Sequence, residues 1–288
     1  GADFNSQEIA GGVLLIKKCD KSVIIIKKWR EVIFEHFNFI TDQPSISPNL
    51  PGFIENRHDQ GIWTLLCVKN KIKTIATFHN VYGGNSYLKK MYNKGLSKMD
   101  HLVAISEYVK ETIIKKYNLT TNNITVINRG IDTKYFNQPL DVVTRDNIIK
   151  THQIDTAKKI ILFPARMTSW KGQLEFIDVI KKMDTQNVLV LFVGDTKNES
   201  YTKLVRDKIK NNNLTNTFKI LGSVNQGELR SLYQIADLSV SFPLRAEGFG
   251  RTVSESLYSN TPVLAFDYGG VKNQLENLSD LFKVKPQD

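Results

Sequence analysis

Two glutamates and two glycines lie together in the most distinctive stretch of the sequence, which reads RAEGFGRTVSE over residues 245–255. The stretch falls between a predicted strand and a predicted helix, where Gly248 and Gly250 would let a ligand approach the backbone. The helix that begins after Gly250 would present free N–H groups and a positive dipole end to an anion. Ionised carboxylates only accept hydrogen bonds, so Glu247 and Glu255 suit sugar hydroxyls. The pattern predicts a phosphate or sugar site.

The spacing of these two glutamates indicates the size of the ligand. One carboxylate would lie in the loop and the other about a turn into the helix, roughly 10 Å apart by helix rise, which is within the reach of a nucleotide sugar. The same spacing arises when a surface glutamate precedes a first-turn glutamate that the helix dipole favours. Spacing alone leaves both interpretations open.

A basic pair follows the first strand of the C-terminal half, in FPARMTSWKG over residues 163–172. Arg166 and Lys171 are five residues apart in a strand-to-helix loop, so a planar fork and a point charge could converge on one diphosphate. The strength of their attraction to a phosphate depends on how well the site is shielded from water. A unit-charge pair at ~4 Å contributes about 1 kcal/mol in water but ~4 kcal/mol at an effective dielectric near 20. The alternative is a solvated pair beside a helix start.

Two further polar residues end predicted strands, where ligand-facing side chains of α/β sheets collect. His79 follows the strand of Ala76-Thr77-Phe78, although a single histidine is more often structural. Asp195 follows Phe192-Val193-Gly194, and Gly194 would permit close backbone approach. The five histidines show no ligand spacing, so we predict no metal site.

The elements that must position these residues alternate regularly from Lys159 onward. Nearly continuous apolar strands alternating with amphipathic stretches predict a parallel sheet covered on both faces, that is, a doubly wound Rossmann-like α/β domain. The predicted strands are Ile160–Phe163, Val188–Val193, Phe218–Leu221, Leu238–Phe242, Val263–Phe266 and Leu281–Val284. The predicted helices lie near residues 172–183, 200–211, 227–236, 251–259 and 270–277.

A second set of elements precedes this domain and reads as the later half of another Rossmann-like domain. Its predicted strands are Thr74–Phe78, Leu102–Ile105 and Ile124–Ile127, with a helix from Ser106 to about Tyr117. A turn-rich junction follows, in which we expect Gly130 to supply positive φ. The predicted domain boundaries are therefore 1–70, 71–133 and 134–288.

Composition and charge limit the classes of protein that fit. The 288 residues are 41% hydrophobic and 24% charged with a net charge of +10, which disfavours disorder, collagen-like repeats and coiled coil.

Residues 71–127 carry nine basic and three acidic side chains. Their densest stretch, residues 87–98, interleaves Lys89, Lys90, Lys94 and Lys98 with apolar residues, which suits a membrane-surface helix; a solvated helix face is the alternative. Without aromatic stacking or zinc spacing, nucleic acid is a weaker partner.

Taken together, these residues resemble the family 4 glycosyltransferases, which are retaining enzymes of GT-B architecture. The resemblance covers about residues 72–288, in which several motifs occur in the family's order. Besides the glutamate, glycine and basic residues above, they include Thr77-Phe78-His79, Ala104-Ile105-Ser106-Glu107 and Asn128-Arg129-Gly130-Ile131-Asp132. The implied fold is GT-B-like, with a C-terminal donor domain and a truncated N-terminal α/β domain.

The resemblance implies a role for each candidate residue on the donor. Arg166 and Lys171 would hold the diphosphate without a metal or other cofactor, and Glu255 would hold the ribose. Donor contacts would extend to Gly194 and Asp195, and backbone near Gly222-Ser223-Val224 would recognise the base of a UDP- or GDP-sugar.

The transferred sugar would lie in the glycine-rich loop. By the same resemblance, Glu247 and the N–H groups of Phe249 and Gly250 would hold it, and His79 would face it from the first domain. The implied acceptors are lipid-linked or envelope glycans, which fits a cytoplasmic protein held on the inner leaflet by the basic stretch.

The N-terminal segment 1–70 resembles instead the tail of a GT-A type capsular-polysaccharide glycosyltransferase. The likeness rests on GGVLLIKK over residues 11–18 and NRHDQ over residues 56–60. We therefore expect a fusion or remnant of two truncated transferases. Two other hypotheses remain open: an inactive nucleotide-sugar-binding remnant, and a basic membrane-associated interaction module.

Overall fold

The computed structural model describes residues 75–81 and 93–285, together with positions 20, 23, 24, 26–28 and 31, all of which are helical. The rest of the predicted segment 1–70 lies outside the described residues, as do Lys89 and Lys90. The described chain forms two parallel sheets with helices between their strands.

The first sheet has three parallel strands, in the order β1-β2-β3. They are Ile75–Phe78 (β1), His101–Ala104 (β2) and Ile124–Val126 (β3). Alternate residues of β1 and β2 are buried, as the side-chain period of a strand requires. Helix α1, Glu107–Tyr117, follows β2 and buries Val109 and Ile113 against this face.

The second sheet has six parallel strands, in the order β6-β5-β4-β7-β8-β9. They are Lys159–Pro164 (β4), Val188–Val193 (β5), Phe218–Gly222 (β6), Leu238–Ser241 (β7), Val263–Phe266 (β8) and Lys283–Val284 (β9). Strand β5 reads VLVLFV and is buried at five of its six positions, because both faces of the sheet are covered.

Helices cover both faces of the second sheet. They are Thr133–Phe136 (α2), Val142–Thr151 (α3), Gln173–Ile180 (α4), Glu199–Asn211 (α5), Gln226–Ile235 (α6), Arg251–Tyr258 (α7) and Lys272–Leu275 (α8). Helices α4 and α5 contribute to one core cluster through residues such as Ile177 and Val205, whereas α3 and α6 contribute to another through Ile148 and Leu232. The prediction of a doubly wound sheet is confirmed.

The strand order reverses beside β4. From β4 the chain proceeds outward to β5 and β6, then returns to the other side of β4 for β7, β8 and β9. In open parallel sheets the crevice at such a reversal, at the carboxyl ends of the strands, is where ligands bind. The loops that follow β4 and β7 meet there.

Three details of the sequence prediction are wrong. Helices α2 and α3 were not predicted, although Asp132 and Asp141 each cap one of them with a side-chain carboxylate. The predicted strand Leu281–Val284 is a strand only at Lys283–Val284, since a 3₁₀ helix, Asp280–Phe282, occupies its start. Gly130 does not adopt positive φ.

Candidate functional site

An ion pair joins the two loops at the strand reversal. The Lys171 ammonium, in a 3₁₀ turn after β4, donates a hydrogen bond to the Glu247 carboxylate in the loop after β7. The Leu244 N–H donates to the Trp170 C=O at 2.7 Å and ties the same two loops together. The side chains of Lys171 and Glu247 are only 16% and 10% exposed.

The burial of this pair determines its chemistry. Mutual attraction in a shielded site is several times stronger than in water, yet each ion has lost hydration, so each needs its partner. The Lys171 ammonium also lies 4.4 Å from the centre of the Trp170 ring, a cation–π distance. An anionic ligand group entering here would compete with Glu247 for Lys171.

Arg166 lies on the same loop, but its side chain is exposed. Its carbonyl accepts a hydrogen bond from the Gln173 side-chain amide at 2.9 Å, and the next N–H, of Met167, donates to the Asp195 C=O at 2.8 Å. The Arg166–Met167 peptide is therefore held on both sides, whereas the Arg166 side chain is exposed. The structure places the two predicted cations on one loop, one paired and one free to meet a ligand.

Protein backbone occupies the space beside the predicted ligand-contacting glycines. A Cβ on Gly248 would lie 2.4 Å from the His79 carbonyl oxygen, and one on Gly194 would lie 2.3 Å from the Ala165 carbonyl oxygen. Gly250 has φ +83° and begins α7 without a side-chain cap. Packing within the protein thus already requires Gly248 and Gly194, while their role toward a ligand stays a prediction.

Glu255 lies in the second turn of α7 and is 5% exposed. The Tyr233 hydroxyl donates to one carboxylate oxygen at 3.2 Å, and the Arg251 guanidinium pairs with the other at 2.8 Å. Burial, with the nearby charge of Glu255, raises the pKa of Tyr233 well above its usual range, so this phenol stays a donor. Two neighbours therefore fix the position of the Glu255 carboxylate.

His79 reaches the same region from the first sheet. It follows β1, and its carbonyl touches Gly248 of the second sheet's loop. Partial burial, followed by the positive charge of Arg129, lowers the pKa of His79 below 6.5. The imidazole is therefore neutral at pH 7, where it can both donate and accept a hydrogen bond.

The predicted base-side residues follow β5 and β6, the neighbours of β4. The Gly194 N–H donates to the Gly222 C=O at 2.8 Å, and the Asp195 carboxylate accepts the Lys197 N–H at 2.8 Å within its own loop. Ser223 is exposed, and Val224 packs partly against the core. These loops extend the carboxyl edge of the sheet away from the ion pair.

Comparison with known proteins assigns the chain to a family. The family model described as "Glycosyl transferases group 1" matches residues 144–288, and the model described as "Glycosyltransferase Family 4" matches residues 56–135. The chain belongs to the group 1 glycosyltransferases. The resemblance drawn from the motifs is thereby confirmed.

The chain is similar in sequence to two curated proteins from other organisms. The O-antigen chain mannosyltransferase RfbU of Salmonella typhimurium is 26% identical over 71% of this chain. The trehalose synthase of Thermococcus litoralis is also 26% identical, over 68% of this chain. The chain spans about half the length of these relatives, 54% and 48% respectively.

Solved structures share the fold of this chain. A glycosyltransferase from Rickettsia africae superposes with a TM-score of 0.70 at 26% identity, over 96% of this chain and 71% of that one. Anabaena HepE, solved with UDP and glucose, superposes with a TM-score of 0.68 at 20% identity, over 80% of this chain and 62% of that one. Together with the two parallel sheets, these neighbours confirm the GT-B-like fold class.

Three residues that hold the candidate site are not among those that the sequence analysis singles out. Ser106, which occurs in one of the family motifs, donates its hydroxyl proton to the Gly248 C=O at 2.5 Å across 142 positions. Gln274 donates to carbonyls of the glycine-rich loop, and Tyr233 holds Glu255. Only the N-cap of α1 by Ser106 leaves a local signal in the sequence, because the other contacts are long-range.

The basic stretch shows a limited helix within the described residues. Residues 93–96 are helical and are followed by a turn, and Lys94 and Lys98 are both exposed. Within the part of the chain that the structure describes, no helix is both long enough and apolar enough to cross a membrane.

Proposed function

We propose that this glycosyltransferase transfers a hexose from a UDP- or GDP-sugar to a bacterial envelope glycan or lipid-linked acceptor, with retention of anomeric configuration. The observation that carries the proposal is the Lys171–Glu247 pair at the strand reversal of a six-stranded parallel sheet. A cation and a carboxylate held together there match the two ends of a sugar diphosphate, one anionic and one rich in hydroxyls.

The chemistry of the leaving group assigns the positive charges. Departure of the nucleoside diphosphate leaves negative charge on its terminal phosphate, which Lys171, the Arg166 guanidinium and the start of α7 would stabilise. We propose that these groups suffice without a metal cofactor. Glu255, held by Tyr233 and Arg251, would accept hydrogen bonds from the ribose.

Donor binding would then replace the Lys171–Glu247 ion pair by two new interactions. Lys171 would pair with the phosphate, and the released Glu247 carboxylate would accept hydrogen bonds from the sugar hydroxyls. Each ion keeps a partner throughout, which avoids the cost of an unpaired buried charge. Neutral His79 would face the sugar from the first sheet.

Two relatives support the substrate classes. The O-antigen chain mannosyltransferase RfbU supports an envelope glycan as acceptor, and the Anabaena HepE structure with UDP and glucose supports a nucleotide-sugar donor. The exposed lysines near residue 94 support a peripheral position on the anionic inner leaflet, close to a lipid-linked acceptor.

Calorimetric titration with UDP, GDP and ADP in the presence of a chelator tests the donor site. We expect one nucleotide to bind, and Arg166→Ala to abolish binding. Arg145→Ala is the matched control, because this exposed arginine lies on α3. A folded protein that binds none of the three nucleotides would refute the proposal.

Turnover separates an active enzyme from a nucleotide-sugar-binding remnant. Incubation of the chain with the sugar derivative of the bound nucleotide should give slow donor hydrolysis, and NMR of the first-formed anomer reports retention or inversion. Binding without any hydrolysis or transfer would favour the inactive remnant.

A further inference from the structure

Three successive carbonyl groups of the glycine-rich loop accept hydrogen bonds from two separate parts of the molecule, the segment Gly269–Leu275 and the start of α1. The pairs are Gly270 N–H to Glu247 C=O at 2.8 Å, the Ser106 hydroxyl to Gly248 C=O at 2.5 Å, and the Gln274 side-chain amide to Phe249 C=O. Such a run of contacts fixes the rotation of three consecutive peptide planes.

The orientation of the carbonyls dictates the orientation of the amide protons. In a trans peptide the C=O of one residue and the N–H of the next point in opposite directions, and no described peptide bond is cis. With the carbonyls of residues 247–249 pinned, the N–H groups of residues 248–250 face away from the pinning groups. None of these three N–H groups donates to any described residue.

Gln274 is itself held in place. Its side-chain oxygen accepts a hydrogen bond from the Ser254 hydroxyl, so its NH₂ group faces the loop carbonyls. The same NH₂ lies 3.4 Å from the carbonyl oxygens of Gly250 and Gly270. Because its oxygen accepts a hydrogen bond on one side and its NH₂ group donates on the other, the Gln274 side-chain amide has a single orientation in this site.

Ser106 reaches the loop from the other sheet. It lies between β2 and α1, is buried, and uses the same oxygen to cap α1 by accepting the Val109 N–H at 3.2 Å. Its hydroxyl proton is therefore directed at the Gly248 C=O. The orientation of the Phe249 N–H thus depends on contact between the part of the chain that forms the first sheet and the part that forms the second sheet.

We propose that Ser106 and Gln274 are positioning residues, which aim the Phe249 and Gly250 N–H groups at the sugar end of the donor. This inference rests on the proposed function, because it needs a donor in the site. Ser106 acts through the Gly248–Phe249 peptide, and Gln274 acts through the Phe249–Gly250 peptide. Recognition of the sugar end of the donor thereby requires that Ser106, next to the first sheet, contacts the glycine-rich loop.

Binding selectivity tests the proposal. The variants are Ser106→Ala and Gln274→Met, which keeps a side chain of similar length and no charge but cannot donate to a carbonyl. For the nucleotide that the wild-type chain binds, we expect the Kd of the nucleotide sugar to rise about fivefold, the worth of one hydrogen bond. The Kd of the nucleoside monophosphate, which does not reach these amides, stays unchanged.

Matched variants separate this role from a structural one. Asp141→Ala removes the N-cap of a different helix, α3, and controls for the lost cap of α1. Ser106→Thr retains the hydroxyl and should restore selectivity. If Ser106→Ala alters the melting profile more than Asp141→Ala does, Gln274→Met carries the test, because it leaves the cap of α1 intact.

Ligand-free NMR gives a readout that is independent of the donor. Both variants should shift the ¹⁵N–¹H signals of Phe249 and Gly250 beyond the change seen in Asp141→Ala. Unchanged signals, or an unchanged ratio of sugar-nucleotide to monophosphate affinity, would overturn this inference while leaving the donor site intact. A wild-type chain that binds no nucleotide would instead overturn the proposed function.

Discussion

At the scale of single residues, the Lys171–Glu247 pair is the part of the site most sensitive to losing one member. Both side chains are mostly buried, so Lys171→Met leaves a carboxylate without a partner, and we expect it to destabilise the fold by about 3 kcal/mol. Glu247→Gln keeps an acceptor for the ammonium and should cost less. Urea unfolding of the ligand-free chain measures both.

The double variant provides the control for that prediction. Lys171→Met combined with Glu247→Gln removes both charges, so it should be more stable than Lys171→Met alone, with a coupling of about 1–3 kcal/mol. Strictly additive losses would mean that the pair contributes nothing to folding.

His79 provides a second prediction at this scale, through the charge of Arg129. Because burial and then Arg129 lower the pKa of His79, Arg129→Ala should raise that pKa toward, but not to, 6.5. NMR titration of the imidazole Cε1–H measures it. The unfolded chain binds this proton more readily, so stability should fall as pH drops below 6.5, and less steeply in Arg129→Ala. An unchanged titration would place Arg129 away from His79.

At the scale of elements, Gly248 decides how closely the two sheets' loops approach. A methyl group at this position would meet the His79 carbonyl oxygen at 2.4 Å, and neither backbone can move without displacing β1 or the loop after β7. We expect Gly248→Ala to lower the melting temperature and to weaken nucleotide-sugar binding. Gly130→Ala is the control, since a Cβ there meets nothing within 4 Å. Equal melting temperatures for the two variants would contradict the prediction.

Some strands and helices could be predicted from the sequence and others could not, and the difference lies in how regular their apolar pattern is. Strands such as Val188–Val193 are continuous apolar runs, and their bounds match the prediction. Helix α3, Val142–Thr151, begins with two exposed valines and buries only Ile148, so its apolar periodicity is weak. Its signal was the cap, Asp141, whose carboxylate accepts the Thr144 N–H at 2.8 Å.

Part of the candidate site could likewise be predicted from the sequence, and part could not. Motif spacing placed Lys171 and Glu247 on loops that a parallel sheet must bring to one edge, and the structure joins them. The hydrogen bonds from Ser106 and Gln274 to the loop could not be predicted, because they depend on how separate helices pack. Local patterns determine which elements form, whereas tertiary packing determines which carbonyls they touch.

At the scale of the whole molecule, the uneven charge predicts how the chain meets a membrane. Lys94 and Lys98 are exposed within the segment that carries much of the net +10. Each surface lysine contributes about 1 kcal/mol on an anionic bilayer, so Lys94→Gln with Lys98→Gln should weaken binding to phosphatidylserine vesicles by roughly thirtyfold. Lys181→Gln with Lys182→Gln removes the same charge from the exposed end of α4 and is the matched control. Co-sedimentation at low and high salt measures both pairs, and equal losses would show that the attraction follows total charge rather than the basic stretch.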